Sequence, residues 1–231
     1  MKPYPVMMNL EGKRVLVVGG GKVAARKVGS LLESGAVVTV ISPTLEPELD
    51  NIAREGRIEW ISAPFEESVL DRYPDVLLLF GATNTREINL RIHGAALERK
   101  IPCNIADVPD LCTFIVPAVI TQGDLMIAVS TGGSSPALAR RIREDLEKRF
   151  GPEYATMTRL LAQLRKQVLK TGSTSDENRK LFTEIVDSEI LSALRDQDRE
   201  RALEILRAIL PDQVKPEPAM EAPAQNGFAK E

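Results

Sequence analysis

Six residues near the amino terminus, Gly19 to Ala24, have the types and the spacing of a phosphate-binding turn. They fit the pattern G-x-G-x-x-A and follow the β-branched run Arg14–Val18 directly. In this pattern Gly19 allows the tight turn, Gly21 lets backbone amides approach a pyrophosphate, and Ala24 lets helix and strand pack closely. A helix that begins here presents unpaired N–H groups to phosphates. We interpret the turn as a dinucleotide site, although glycine turns also serve structural strand–helix corners.

The segment after the second predicted strand, residues 36–41, lacks the acidic residue that usually holds a ribose. Ser42, Pro43 and Thr44 stand in its place. A carboxylate there normally accepts hydrogen bonds from the ribose hydroxyls and repels a 2′-phosphate. Ser42 and Thr44 can hydrogen-bond a ribose without charge, and no arginine follows closely. We therefore expect NAD, rather than NADP, as the cofactor.

Two further strand ends are expected to line the same crevice, because ligands of such sheets lie beyond the carboxyl ends of the strands. Thr83 and Asn84 follow the fourth predicted strand, and Asp107 follows the fifth. Asp107 can act as a general base if partial burial keeps its proton affinity useful. It can equally cap the turn that follows it, and Asp110 is a competing carboxylate.

The loop Ser130–Pro136 is a candidate anion cradle, because it places two glycines and several hydroxyls before a helix. Its candidate substrate-binding residues are Thr131, Gly132, Gly133, Ser134 and Ser135. The Ser-Pro pair at its end predicts a helix start, and Leu138, Ile142 and Leu146 predict the buried stripe of that helix. The basic residues Arg140, Arg141 and Arg143 either extend the cradle or pair with acids on their own helix.

A structural metal site is not expected. Cys103 and Cys112 match no metal-binding spacing, and His93, the single histidine, falls in a different predicted element. Two small buried hydrophobic residues are the simpler interpretation of the cysteines, and two cysteines are too few for a disulfide framework.

Composition excludes several classes of protein. The 231 residues are 43% hydrophobic and 27% charged, with a formal net charge of −3. This is ordinary globular composition without the basic footprint of a nucleic-acid binder. No apolar run is long enough to span a bilayer, and the amino terminus lacks the apolar core of a signal peptide. We expect no membrane or nucleic-acid partner and a cytoplasmic location.

The elements that position these residues alternate between strand and helix in the first half, which predicts an α/β fold with a Rossmann-like doubly wound parallel sheet. After Asp107 the pattern predicts a hairpin with its turn at Gln122–Asp124, and then helices as far as Leu210. The predicted divisions are a dinucleotide-binding domain at 1–114, a small hairpin-plus-helix region at 115–150, an all-helical domain at 151–210 and a disordered tail at 211–231.

Four stretches together resemble one family, the precorrin-2 dehydrogenase/sirohydrochlorin ferrochelatase family, whose module also forms the amino-terminal part of multifunctional siroheme synthases. They are VLVVGGGKVAARKVGSLLESGAVVTVISP, GATN, IPCNIADVPDLCTFIVPAVI and LMIAVSTGGSSPALARRIREDLE. The resemblance implies an NAD-binding domain, a dimerisation region at 115–150, a homodimer and a helical domain that closes over a tetrapyrrole. It also implies that Lys22, Val23, Pro43 and Thr44 touch the dinucleotide and that Asp107 is the acid/base residue.

The chemistry implied by the resemblance is oxidation of precorrin-2 to sirohydrochlorin by NAD⁺, with Asp107 accepting the proton. Some members also insert Fe²⁺ into sirohydrochlorin. The sequence leaves open whether this chain is a chelatase, and for which metal. It contains no methyltransferase domain, so we expect its precorrin-2 to be made elsewhere.

Two rival functions remain at this stage. A non-enzymatic NAD-sensing regulatory domain would share the glycine turn, but would usually keep the missing acid and would not need the loop Ser130–Pro136. A dehydrogenase of small alcohols or acids would carry a Tyr-x-x-x-Lys pair, whereas Tyr154 is followed by Thr158 at that spacing.

Overall fold

The hydrophobic runs of the first half form five parallel strands. Val15, Leu16 and Val17 are wholly buried in the first strand, because helices cover both faces of a parallel sheet. The structure is a computed structural model that describes residues 3–221. Its parallel strands are β1 Arg14–Val18, β2 Val37–Ile41, β3 Glu59–Ile61, β4 Val76–Gly81 and β5 Cys103–Ile105. Their order in the sheet is β3-β2-β1-β4-β5. The predicted Rossmann-like α/β core is confirmed.

Alternate residues of β1 belong to two separate hydrophobic cores. Val15 and Val17 pack in one core together with Val28, whereas Leu16 packs in the other together with Ile92. Successive side chains of a strand point to opposite faces, so these cores lie on the two sides of the sheet. The helices of this half are α1 Lys22–Glu33, α2 Pro47–Arg54 and α3 Arg86–Glu98, with 3₁₀ turns at Glu67–Arg72 and Pro109–Leu111.

The strand order places a topological switch between β1 and β4. The chain leaves β1 toward β2 on one side and later returns to β4 on the other. In open α/β sheets this switch opens a crevice at the carboxyl ends of the strands. The glycine turn after β1 and the segments after β2, β4 and β5 therefore share one edge of the sheet.

Contacts divide the chain into two compact units between Val116 and Pro117. The second unit begins with an antiparallel hairpin whose turn uses Gly123 at a φ of 58°. Its strands are β6 Ala118–Gln122 and β7 Leu125–Val129. Its helices are α4 Pro136–Arg149, α5 Glu153–Val168, α6 Ser175–Asp187, α7 Ile190–Arg195, α8 Arg199–Ile209 and α9 Pro216–Glu221. The finer domain boundaries given above remain predictions.

The helices from α5 onward share a core of their own. Leu160, Leu164, Ile185 and Leu206 are almost wholly buried in it. These residues come from three different helices, so the helices stabilise one another by packing rather than by helix propensity.

The carboxyl-terminal segment differs from the predicted tail. Residues 216–221 form α9, and Val214 and Ala219 are 3% and 2% exposed in the helical core. Arg207 and Glu217 also form an ion pair at 2.7 Å. The prediction of disorder is therefore wrong for 211–221, because a segment rich in Pro, Ala and Glu can still bury a few small side chains. Residues 222–231, the rest of the predicted tail, lie outside the described residues.

The predicted buried stripe of α4 is not buried within the single chain. Leu138 and Ile142 are 51% and 37% exposed, and Ala139 is the residue of this helix that is buried. The spacing of the apolar residues is helical as predicted, but within its own unit the helix turns a different face toward the hairpin.

Among residues 3–221, no helix is both long enough and apolar enough to cross a bilayer.

Candidate functional site

The glycine turn is shaped by close contact with the neighbouring strands. Gly19 has a φ of 120°, which disfavours residues with a side chain, and a Cβ atom there would overlap the carbonyl group of Ala82 after β4. The amide of Gly19 donates a 2.9 Å hydrogen bond to the carbonyl oxygen of Ile41 at the end of β2. Gly19 therefore makes the tight turn that its place in the motif predicts.

Gly21 occupies a different environment. It is the N-cap of α1, so no side chain caps the helix by a hydrogen bond. A Cβ atom added at this position would meet nothing within 4 Å. No acidic residue stands in the first turn of this 12-residue helix. The amino end of α1 thus faces open space with its positive partial charge uncompensated, which suits an anion.

These features fit the pyrophosphate of a dinucleotide. The amides of Lys22 and Val23 lie in the first turn of α1, Lys22 is exposed, and Val23 is half-buried. Ala24 is wholly buried in the core on that side of the sheet, so a larger side chain would push the helix away from β1.

The three candidate residues after β2 differ in burial and in hydrogen bonding. Ser42 is buried, and its hydroxyl donates a 2.7 Å hydrogen bond to the carbonyl oxygen of Thr44. The carbonyl oxygen of Ser42 accepts a 2.9 Å bond from the indole N–H of Trp60. Pro43 and Thr44 are exposed. Ser42 therefore fixes the shape of the loop, and Pro43 and Thr44 are the two candidates whose side chains stay exposed.

A cavity of about 250 Å³ opens beyond the ends of β2 and β3. Ile41 and Ile61 line its base, and Glu66, Ser68 and Arg72 are among its polar wall residues. Sequence reasoning did not find this cavity, because its wall comes from the loop after β3 and from the 3₁₀ turn Glu67–Arg72.

The segment after β4 is held by a residue that sequence reasoning also missed. The hydroxyl of Thr83 donates to the side-chain oxygen of Asn89 at 2.8 Å, and the side-chain amide of Asn89 donates to the carbonyl oxygen of Thr83 at 3.2 Å. Asn89 is only 5% exposed on α3. A buried polar residue has to be hydrogen-bonded, so Asn89 fixes this turn. Asn84 is exposed and remains available to a ligand.

Asp107 stands where β5 ends, in an unusual backbone conformation. Its φ is 61°, in the left-handed region that few residues other than glycine, asparagine and aspartate adopt. Its carboxylate is exposed and makes no hydrogen bond or ion pair with any of residues 3–221. The alternative in which Asp107 caps the turn that follows it therefore has no contact to support it. The partial burial expected for a general base is also absent within this unit.

Asp110, the competing carboxylate, lies in the 3₁₀ turn Pro109–Leu111 and is exposed. Nδ1 of His93 lies 3.0 Å from the carbonyl oxygen of Leu111, so the histidine packs this turn against α3.

The two cysteines are buried thiols, as predicted. Burial, followed by the neighbouring Cys112, raises the pKa of Cys103 from an ordinary value of 9.0 to about 12. In the part of the chain that the structure describes, no group of three or more His, Cys, Asp or Glu side chains could hold a metal ion.

In the loop Ser130–Pro136 of the second unit, most hydroxyl groups serve the loop itself. Thr131 Oγ1 accepts from the amide of Ser135 at 3.1 Å and donates to its carbonyl oxygen at 3.0 Å. Ser135 Oγ accepts from the amide of Leu138 and caps α4, as predicted. Gly132 and Gly133 have φ values of 63° and 89°. The exposed groups left for an anion are the hydroxyl of Ser134 and the backbone of Gly133.

The basic run on α4 pairs with acids on the same helix. Arg140 bonds Glu144 at 2.8 Å, which lowers the pKa of that carboxyl, and Arg141 lies 3.2 Å from Asp145. Arg143 pairs with Glu147 in the same manner. Of the two alternatives for these arginines, the structure therefore shows the helical ion pairs.

Comparison with known proteins agrees with this geometry. Residues 6–118 match a family described as "Putative NAD(P)-binding", and residues 122–149 match one described as "Sirohaem biosynthesis protein central". A siroheme synthase from Methylobacillus flagellatus is 36% identical over 210 residues, which are 89% of this chain and 44% of that protein. The chain belongs to the precorrin-2 dehydrogenase/sirohydrochlorin ferrochelatase family.

Two further members of this family show how the chain relates to it. The siroheme synthase of Salmonella paratyphi B is 37% identical over 199 residues, 86% of this chain and 43% of that protein. A solved structure described as "SirC, precorrin-2 dehydrogenase" is 29% identical and has a TM-score of 0.73. The match covers 90% of this chain and 98% of SirC. The chain thus spans less than half the length of these curated siroheme synthases, but nearly all of SirC.

Membership in this family confirms the expected cofactor, because the first unit is an NAD(P)-binding domain.

Proposed function

We propose that this chain is an NAD-dependent dehydrogenase that oxidises precorrin-2 to sirohydrochlorin. The observation that carries the proposal is the correspondence with SirC over 90% of this chain. In balanced form, precorrin-2 and NAD⁺ give sirohydrochlorin, NADH and a proton. Bound NAD⁺ would supply the acceptor for the hydride.

The residues of the chain bind and orient the dinucleotide and accept the proton that the substrate loses. The amino end of α1 would hold the pyrophosphate, with Gly21 leaving room for it, and Pro43 and Thr44 would contact the ribose. Because β5 pairs with β4, Asp107 lies on the β4 side of the switch, where the nicotinamide half of a dinucleotide is expected. Its unpaired carboxylate would accept the proton that the ring loses as the hydride leaves.

We further propose that Gly133 and Ser134 bind substrate carboxylates, whereas the amide of Gly132 is taken up by a hydrogen bond to Ser130. This proposal is supported by the other three hydroxyls of the loop, on Ser130, Thr131 and Ser135, which are used in hydrogen bonds to the loop itself and to the start of α4. The arginines of α4 are not included, because helical ion pairs occupy them.

The proposed homodimer uses the hairpin and α4. Met126 is 50% exposed on β7, and Leu138 is 51% exposed on α4. A two-stranded hairpin is marginally stable alone, and both of its outer edges are unpaired among residues 3–221. A second copy would cover these edges and the apolar face. Leu138→Glu should halve the molar mass measured by light scattering, whereas Leu97→Glu, at a leucine equally exposed on α3, should not. A dimer that persists in Leu138→Glu would contradict this interface.

Insertion of Fe²⁺ into sirohydrochlorin is a separate proposal that rests on family membership alone. Asp107 would take up protons that the pyrrole nitrogens lose. An anaerobic assay with sirohydrochlorin and Fe²⁺, compared with a reaction without protein, tests it. Equal rates in the two reactions would exclude the activity. We place the protein in the cytoplasm, where both reactants would be available to it.

The dehydrogenase is tested by anaerobic incubation with precorrin-2 and either NAD⁺ or NADP⁺. The tetrapyrrole spectrum should change to that of sirohydrochlorin faster with NAD⁺, because no arginine follows β2 to bind a 2′-phosphate. An NAD-sensing domain, the rival function, would bind the dinucleotide and leave the spectrum unchanged.

A further inference from the structure

Lys27 on α1 is half-buried, and no carboxylate among residues 3–221 forms an ion pair with it. Its Nζ donates a 3.0 Å hydrogen bond to the side-chain oxygen of Asn104 on β5 and lies 4.9 Å from the centre of the Phe80 ring. Burying an ammonium group is costly unless it is compensated, and an apolar residue would pack at this position without that cost. The contacts of Lys27 therefore need an explanation other than packing.

Asn104 also contacts the segment that follows the 3₁₀ turn Pro109–Leu111. Its side chain is 8% exposed, and its amide donates to the carbonyl oxygen of Phe114 at 3.0 Å and lies 3.6 Å from Sγ of Cys112. One amide group thus joins α1, β5 and the segment after the turn. Asn104 is the first residue of the N-x-x-D stretch that ends at Asp107.

Cys112 closes the loop from its other end. Its Sγ accepts from the amide of Ile105 at 3.2 Å, and the thiol lies 3.2 Å and 3.4 Å from the carbonyl oxygens of Ile105 and Val108. Asp107 lies between these two residues in its left-handed conformation. Aspartate is one of the few residues that adopt this conformation, and surrounding contacts help to determine it.

We propose that Lys27 is a positioning residue, which through Asn104 and Cys112 holds the Asp107 loop, residues 106–111, at a fixed spacing from the glycine turn at the start of α1. We call this contact the Lys27–Asn104 brace. It rests on the proposed function, because it matters for the reaction only if the dinucleotide binds at the turn and Asp107 accepts the proton.

The charges around Lys27 agree with this role. Burial lowers the pKa of Lys27 from its ordinary value of 10.5, and Arg26 on the same helix lowers it further. Cys112 and Asp107, from the Asp107 loop and its closing residue, raise it. The ammonium group therefore interacts electrostatically with the loop that it braces.

Hydrogen exchange tests the brace without any substrate. In Lys27→Met, amides 105–112 should exchange at least about fivefold faster than in the wild type, because the loop loses its anchor to α1. Arg26→Met, which removes one positive charge from an exposed neighbouring position, should exchange like the wild type. Unchanged exchange in Lys27→Met would overturn the proposal. If this variant does not fold, exchange of amides 105–112 is measured in Lys27→Gln instead, and unchanged exchange there would likewise overturn the proposal.

A double-mutant cycle tests whether the brace acts through Asp107. Lys27→Met should lower kcat for precorrin-2 oxidation about 10- to 100-fold and leave the Kd for NAD⁺ within about twofold. In an Asp107→Asn background the same change should have no further effect on kcat. A loss of equal size in both backgrounds, or none in either, would contradict a positioning role. A wild-type protein that never oxidises precorrin-2 would contradict the proposed function instead, and exchange would still decide on the brace.

Discussion

The amide of Glu46 donates a 2.7 Å hydrogen bond to the carbonyl oxygen of Gly20, which ties the segment after β2 to the glycine turn. A Cβ atom on Gly20 would overlap the carbonyl oxygen of Thr44 and lie 2.7 Å from Oγ of Ser42. The segment after β2 thus packs directly on the turn. This contact leaves little room between the segment and the turn, where the short side chain of Ser42 fits.

Gly20→Ala should disrupt this contact. The added methyl group has to displace the Thr44 loop, so we expect the affinity for NAD⁺ to fall at least about tenfold and the melting temperature to fall. Calorimetric titration and thermal unfolding measure both. Gly29→Ala is the matched control, because that helical glycine has open space around it and should gain up to about 1 kcal/mol of stability. Equal behaviour of the two variants would contradict the packing.

Gly21→Asp should separate folding from cofactor binding. The side chain enters open space and an acid at this N-cap position favours the helix, so stability should be unchanged or higher. The carboxylate would also occupy and repel the site of the pyrophosphate, so NAD⁺ binding should be lost. Normal affinity in a folded Gly21→Asp protein would rule out the proposed cofactor site.

Asp107→Asn should spare NAD⁺ binding and suppress oxidation. Asparagine tolerates the left-handed φ of 61°, so the loop should keep its shape while losing its proton acceptor. We expect kcat to fall at least about 100-fold with an unchanged Kd for NAD⁺. Asp110→Asn, in the following 3₁₀ turn, is the control. If Asp110→Asn lost activity and Asp107→Asn did not, the roles of the two carboxylates would be reversed.

Cys103 should make the fold sensitive to alkali. Its pKa is raised from 9.0 to about 12 in the folded state, so the unfolded thiol loses its proton first as the pH rises. The thiol therefore contributes stability that is present below pH 9 and is lost as the pH approaches 12. Urea unfolding of the wild type and Cys103→Ala measures this contribution as a difference. The difference should shrink above pH 9, and one that stays constant to pH 11 would contradict the raised pKa.

The sheet and the glycine turn could be predicted because their signals are local. The β-branched run Arg14–Val18 and the glycines after it determine a strand and a turn whatever surrounds them. The tasks of Ser42 and Thr83 could not be predicted, since their hydroxyl groups bond partners that only the folded loops bring near. Asn89 gave no signal, because a lone asparagine in a helical stretch is usually exposed.

In the second unit, too, local features could be predicted from the sequence and contacts between distant segments could not. The cap at Ser135 was predicted because capping is a property of a few adjacent residues. The exposure of Leu138 and the burial of Val214 depend on which surfaces meet, and periodicity alone does not determine that.

Hydride transfer from precorrin-2 to bound NAD⁺ is tested most directly by the stoichiometry of an anaerobic single turnover with excess protein and NAD⁺. One NADH should appear for each sirohydrochlorin formed, and neither product should form in Gly21→Asp. Sirohydrochlorin formed without NADH, or formed at the same rate by Gly21→Asp, would contradict hydride transfer to a dinucleotide bound at the glycine turn.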